Sequence, residues 1–182
     1  MNYEIKLNIF PSVNRLVAKE IIKYIDWLKE RYSFPEQLTI IITGASYLVS
    51  DKTGNHVTST FGKPWGEQKD YYMKIAVGDF FEMHRWGRRN AVYSILNDIS
   101  YGLMQYYDLL STEKADFNEE EIDKKATQLT IDYSIERGVL LGDMYRKIHH
   151  WGMSAVRKYR NSKSNRIKKW EIGNVSRNLY KR

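Results

Sequence analysis

The stretch YYMKIAVGD at 71–79, followed closely by NAVYSILNDISYGLMQYYDLL at 90–110, decides the fold. Its first part is an apolar and aromatic run ended by Gly78-Asp79, which reads as a strand opening into helical sequence. Its second part sets Val92, Ile95, Leu96, Ile99, Leu103, Tyr106 and Leu110 at spacings of three and four, a long amphipathic helix. Toward the C-terminus, Asn118-Glu119-Glu120-Glu121 is a capping box that starts another helix, marked by Ile122, Ala126, Leu129 and Tyr133. Toward the N-terminus, residues 56–65 form a weak strand in which Val57, Ser59 and Phe61 alternate with Thr58 and Thr60. Pro64 confines it to a sheet edge. The turn signal DKTGN at 51–55 separates it from a short extended piece at 47–49. Residues 38–42, an apolar run rich in isoleucine, predict a strand buried on both faces. Ser12 is placed to cap a helix reaching Arg31 through Leu16, Val17, Ile21, Tyr24, Ile25 and Leu28. Before it, Tyr3, Ile5, Leu7 and Ile9 alternate with polar residues as a half-buried strand. The order β-α-β-β-β-α-α predicts an α+β fold, a small mixed sheet packed by helices. A further helix is expected from 139 to about 159.

Composition narrows the chemistry. A chain of 182 residues suits one domain with room for a real core. It has no cysteine, which excludes disulfides, thiolate metal sites and cysteine nucleophiles. No segment approaches the ~18–20 uninterrupted apolar residues of a membrane span. The opening MNYEIKLNIFPS lacks the pattern of a signal peptide, so the expected location is cytoplasmic, with no membrane partner. The net charge of +7 is unevenly spread. Residues 146–182 hold 12 of the 29 Lys and Arg but only one of the 22 acids, Glu171, so the preceding body is mildly acidic. This divides the chain into a domain at 1–145 and a basic, helical C-terminal extension at 146–182.

Three strings carry a family likeness: KIAVGDF at 74–80, ILNDISYGLMQYYD at 95–108 and NEEEIDKKA at 118–126. Their order and local sequence resemble the small zincin-like metallopeptidase domains of bacteria, phages and mobile elements, over about residues 3 to 136. In that family a strand leads into an active-site helix carrying HExxH, and the next helix brings a glutamate as third ligand. Aligned on Ile95-Leu96, the HExxH positions fall on Tyr101, Gly102, Leu103, Met104 and Gln105, and the third-ligand position on Glu121. Two histidines at i and i+4 share a helix face and reach one zinc, and the intervening glutamate takes a proton from the bound water. Here Tyr101 and Gln105 stand in the ligand positions, Gly102 has no side chain to act as base, and only Glu121 remains. The resemblance thus implies a zincin-like fold with a degenerate former metal site at Tyr101, Gly102, Gln105 and Glu121. It implies no catalytic residue, no metal and no cofactor. A register one turn earlier, on Asn97-Asp98 and Tyr101, supplies no histidine pair either. The bland reading makes Asp98, Tyr101 and Gln105 a hydrogen-bonded polar stripe and leaves Glu121 as a capping residue. Gly102 inside a helix costs about 1 kcal/mol relative to alanine, which close approach of another backbone would explain.

The C-terminal extension interleaves aromatic and basic residues: Arg146, Lys147, Trp151, Arg157, Lys158, Arg160, Lys163, Arg166, Lys168, Lys169 and Trp170. Basic groups neutralise phosphates and aromatic rings stack on bases, so nucleic acid is a candidate partner. Docking onto protein, its own body or a partner, ranks ahead of it. The adjacent His149 and His150 diverge by about 100° on a helix and are expected to face solvent or a partner. His84, Arg85, Trp86, Arg88 and Arg89 form a basic-aromatic cluster, a solvated helix start or a contact for an acidic partner. No phosphate-binding glycine loop and no GxSxG string occurs. The expected function is a catalytically inactive zincin-like protein-binding or regulatory module of a phage or mobile element. Nucleic-acid binding through the extension, or an enzyme of unrecognised chemistry, are the alternatives.

Overall fold

Alternating burial gives β1 (Ile5–Ile9) one apolar side, and β2 (Leu38–Thr43), with no exposed residue, turns Leu38, Ile40 and Ile42 to the same helical layer. The computed structural model describes residues 3–50, 53–64, 66, 69–111 and 118–137. Between the two strands runs α1 (Arg15–Arg31). After β2 come β3 (Leu48–Val49), β4 (His56–Val57), β5 (Ser59–Gly62) and β6 (Tyr71–Ala76). A short α2 (Phe80–Met83) and a 3-10 turn (His84–Trp86) lead to α3 (Arg88–Ser111), and α4 (Glu119–Glu136) follows. The fold is α+β: a small mixed sheet packed by helices. Everything expected of residues 138–182, the helix from 139 included, lies outside the described residues.

The main sheet has the order β1-β2-β6-β5. β1, β2 and β6 run parallel in the register Ile5↔Leu38↔Tyr71, and β5 is antiparallel to β6. β3 and β4 form a separate two-stranded ladder. The residues at 56–65 therefore serve two sheets, with Thr58 as the joint, where a single strand was expected. Leu38, Ile40 and Ile42 of β2 and Met73 and Ile75 of β6 join Val17, Ile21, Tyr24, Ile25 and Leu28 of α1 in one core. Ile95, Ile99, Leu103 and Tyr106 of α3 belong to the same core.

The other side of the sheet carries Lys6, Asn8, Thr39, Ile41, Tyr72 and Lys74. There Ile41 is only half-buried, Lys6 and Lys74 are exposed, and Asp70 accepts from Lys6 at 3.0 Å and from Thr39 at 3.3 Å. Among the described residues helices cover one face of β2, yet its other face is not exposed: Thr39 is buried and Ile41 and Thr43 are half-buried, close to the burial on both faces that the sequence predicts. Parallel pairing on both edges together with this burial suits its β-branched composition. The cap of α1 also differs from expectation. Asn14 accepts from the Leu16 N–H at 2.9 Å, and Ser12 Oγ instead accepts from the Gly44 N–H at 3.2 Å, tying the β1–α1 loop to the end of β2. Gly78, after β6, sits against the same place. A Cβ there would collide with the Gly44 carbonyl, so the close approach requires glycine.

Candidate functional site

α3 is the axis of the candidate site. At 100° per residue its positions divide into faces. Ile95, Ile99, Gly102 and Tyr106 face the sheet: a Cβ on Gly102 would lie 3.0 Å from Met73 Cε and Sδ of β6, and the Tyr106 ring meets Tyr71 edge-on at 5.4 Å. The glycine makes room for a methionine side chain, not for a backbone. The Tyr106 hydroxyl donates to Glu36 O at 2.6 Å and accepts from the Glu36 N–H at 2.9 Å, fixing the helix against the loop before β2.

Asn97 and Ser100 face α4 and α1. The Tyr24 and Ser100 hydroxyls are 2.6 Å apart, and Ser100 and Thr130 are 2.8 Å apart. Thr130 also reaches Asn97 Oδ1 at 3.4 Å, and both short hydroxyls donate to the carbonyl four residues back. This buried seam joins three helices through hydroxyls, and Tyr93 bonded to Ser134 extends it. Burial pushes the Tyr93 phenol up to about 12, against the opposing pull of the Ser134 hydrogen bond.

Asp98, Tyr101 and Gln105 share the remaining flank of α3. Asp98 is buried, and Tyr101 and Gln105 are half-buried. The hydrogen-bonded polar network seen most clearly runs through the neighbouring Ser100 face. Glu121 stands about 180° around α4 from Thr130, on the solvent side. It is exposed, its N–H donates to the Asn118 side chain at 3.3 Å, and its carboxylate pairs with Lys125 at 2.7 Å. The Lys125 ammonium holds its carboxyl below the ordinary value. The inward acid of α4 is Asp123, which is buried and about 20° from Thr130. Among the described residues no three His, Asp or Glu side chains converge as metal ligands.

The other candidate contact surface is β5, which among the described residues forms a ladder with β6 alone. Ala76 N–H donates to Thr58 O at 2.8 Å, which makes Thr60↔Lys74 and Gly62↔Tyr72 the hydrogen-bonded pairs. The N–H and C=O groups of Ser59 and Phe61 therefore point to the opposite edge, which no described strand covers. His84 and Arg85 are exposed, and Arg88 and Arg89 begin α3. The buried His56 stacks on Tyr47 at 3.7 Å. His149, His150 and the extension residues Arg146, Lys147, Trp151, Arg157, Lys158, Arg160, Lys163, Arg166, Lys168, Lys169 and Trp170 lie outside the described residues.

Sequence reasoning missed the hydroxyl seam. The signal was present: Asp123, Thr127, Thr130 and Ser134 repeat at four, three and four, a helix face in its own right. The apolar stripe beside it accounts for burial by itself, so periodicity does not single this face out. No family model, curated protein or solved structure matches this chain.

Proposed function

We propose that the chain is a catalytically inactive relative of the zincin-like peptidases that works as a protein-binding module, taking a partner segment along β5. The observation that carries this is the edge of β5 left uncovered among the described residues, antiparallel to β6, with the main-chain groups of Ser59 and Phe61 directed outward. An extended peptide adds to such an edge through backbone hydrogen bonds without any catalysis. A long helix follows β6 after α2 and the 3-10 turn, and the alignment on Ile95-Leu96 sets Tyr101, Gly102 and Gln105 of that helix at the zinc-peptidase positions; this order supports the family reading. Its phage or mobile-element setting belongs to that resemblance. The inward Asp123 and outward Glu121 bear on the detail: a metal site rebuilt at Tyr101 and Gln105 would face Asp123 sooner than Glu121.

Ser59→Pro tests the reading. It deletes one outward N–H and leaves the pairs with β6 intact. A partner captured by the full chain should be lost with Ser59→Pro and kept when the chain is cut before Arg146. About one zinc per chain after dialysis, by elemental analysis, would overturn the inactive reading. The charge asymmetry of the sequence favours a second reading, nucleic-acid binding by residues 146–182. It predicts the opposite pattern: binding lost on truncation, kept with Ser59→Pro, and falling steeply with salt.

A further inference from the structure

α1, α3 and the C-terminal part of α4 enclose a groove of about 430 Å³ on the helical side of the molecule. Leu16, Val92 and Leu96 give it an apolar floor, with Tyr93 and Tyr133 beside them. That volume lies in the range of about 300–1,000 Å³ typical of ligand sites and accepts one large side chain with main chain on either side. The rim is charged and unbalanced. Lys23, Arg88 and Arg89 stand against Glu20 alone, and Glu20 is already bonded to Lys23 at 2.9 Å. Among the described residues neither Arg88 nor Arg89 forms an ion pair.

The position of those two arginines is itself unusual. They occupy the first turn of a 24-residue helix that has no acid there. The helix dipole puts partial positive charge at that end, so cations are disfavoured and acids favoured. The same chain follows the rule at α4, where Glu119, Glu120 and Glu121 fill the first turn. A local choice that opposes stability beside a concave apolar surface is the pattern of a functional site. An anion held at Arg88 and Arg89 would relieve the conflict.

We propose that this groove docks an acidic segment of a partner protein, one that presents a large apolar side chain between carboxylates. The side chain would seat on Val92, Leu96 and Tyr93, and the carboxylates would meet Arg88 and Arg89. Charge rules against the chain's own basic residues 146–182 as the occupant, since they would meet a basic rim. The site is on the helices, apart from the β5 edge, and does not depend on the zincin reading.

The test uses the full chain and a fluorescein-labelled peptide with one tryptophan flanked on each side by two glutamates. Its control carries alanine for tryptophan. Binding is read by anisotropy at fixed salt. The tryptophan peptide should bind about tenfold tighter than the alanine peptide, because the floor buries the ring. Arg88→Glu with Arg89→Glu should weaken binding about tenfold or more through repulsion at the rim. The same pair should raise the melting temperature, because acids suit a helix N-terminus. Arg88→Ala with Arg89→Ala should weaken binding less, without repulsion. Lys168→Glu with Lys169→Glu, in the extension, should leave the preference for tryptophan unchanged. Equal binding of the two peptides, or full binding by the Arg88/Arg89 variants, would overturn the proposal. Decanoate bound through Arg88 and Arg89 with the peptide excluded would also overturn it, in favour of a small amphiphilic anion.

Discussion

Thr127 and Thr130 sit on the same face of α4, less than one turn apart, and their hydroxyls have opposite consequences. Thr130 is wholly buried and bonded to Ser100, to Asn97 and to the Ala126 carbonyl. The Thr127 hydroxyl is buried with no hydrogen-bond partner among the described residues. Valine has the same shape as threonine without the polar group. Thr130→Val should therefore cost about 1–3 kcal/mol by stripping partners from Ser100 and Asn97, whereas Thr127→Val should gain up to about 1 kcal/mol. Urea unfolding of the two variants checks the signs, and equal losses would mean that the seam is not specific. Legibility at this scale was partial. The sequence marked Gly102 as a residue in need of a reason and pointed to a neighbouring backbone, whereas the neighbour is a side chain. That the packing partner would be Met73 could not be read, because it depends on how α3 lies across β6.

α4 shows why one element was half legible. Its apolar stripe, Ile122, Ala126, Leu129 and Tyr133, is buried as the periodicity required. The adjoining stripe of Asp123, Thr127, Thr130 and Ser134 is buried too, because α3 offers it Ser100 and Asn97. Periodicity finds apolar faces and is blind to a buried polar one. The far end of α4 is tied to α1: the Trp27 indole donates to Glu136 at 2.9 Å, and Arg31 pairs with the same carboxylate. The Trp27 hydrogen bond first, then Arg31, holds the Glu136 carboxyl below its unfolded value of 4.5. A depressed carboxyl stabilises the fold above the unfolded value, and the contribution is lost as pH falls through the folded one. The melting temperature should accordingly drop on acidification below about pH 4.5, and Glu136→Gln should make that drop shallower. An unchanged acid limb in Glu136→Gln would show that the α1–α4 tie carries no pH dependence.

At the scale of the molecule, the α+β class and the elements β1, α1, β2, β6, α3 and α4 were legible from periodicity, whereas β4 and β5 read as one strand. The pairing order β1-β2-β6-β5 was not legible, because strand order depends on crossovers rather than on local pattern. The core is rich in phenols. Burial is the leading cause raising Tyr32, Tyr93, Tyr106, Tyr107 and Tyr133. A phenol raised above its unfolded value stabilises the fold fully below pH 10 and loses that contribution as pH rises through the folded value. Alkaline titration should show part of the phenolate absorbance appearing late, near pH 12 where Tyr93 titrates, together with loss of helical circular dichroism. Smooth ionisation of all 14 tyrosines near pH 10 in a still-helical protein would contradict the core described. The register also sets a timetable for the nascent chain. Leu38 pairs with Ile5, 33 residues behind, and with Tyr71, 33 residues ahead. During synthesis the central strand waits with one edge open until β6 has left the ribosome. Over that interval its isoleucines are the segment most ready to stick to other chains, and chaperones would be needed there first.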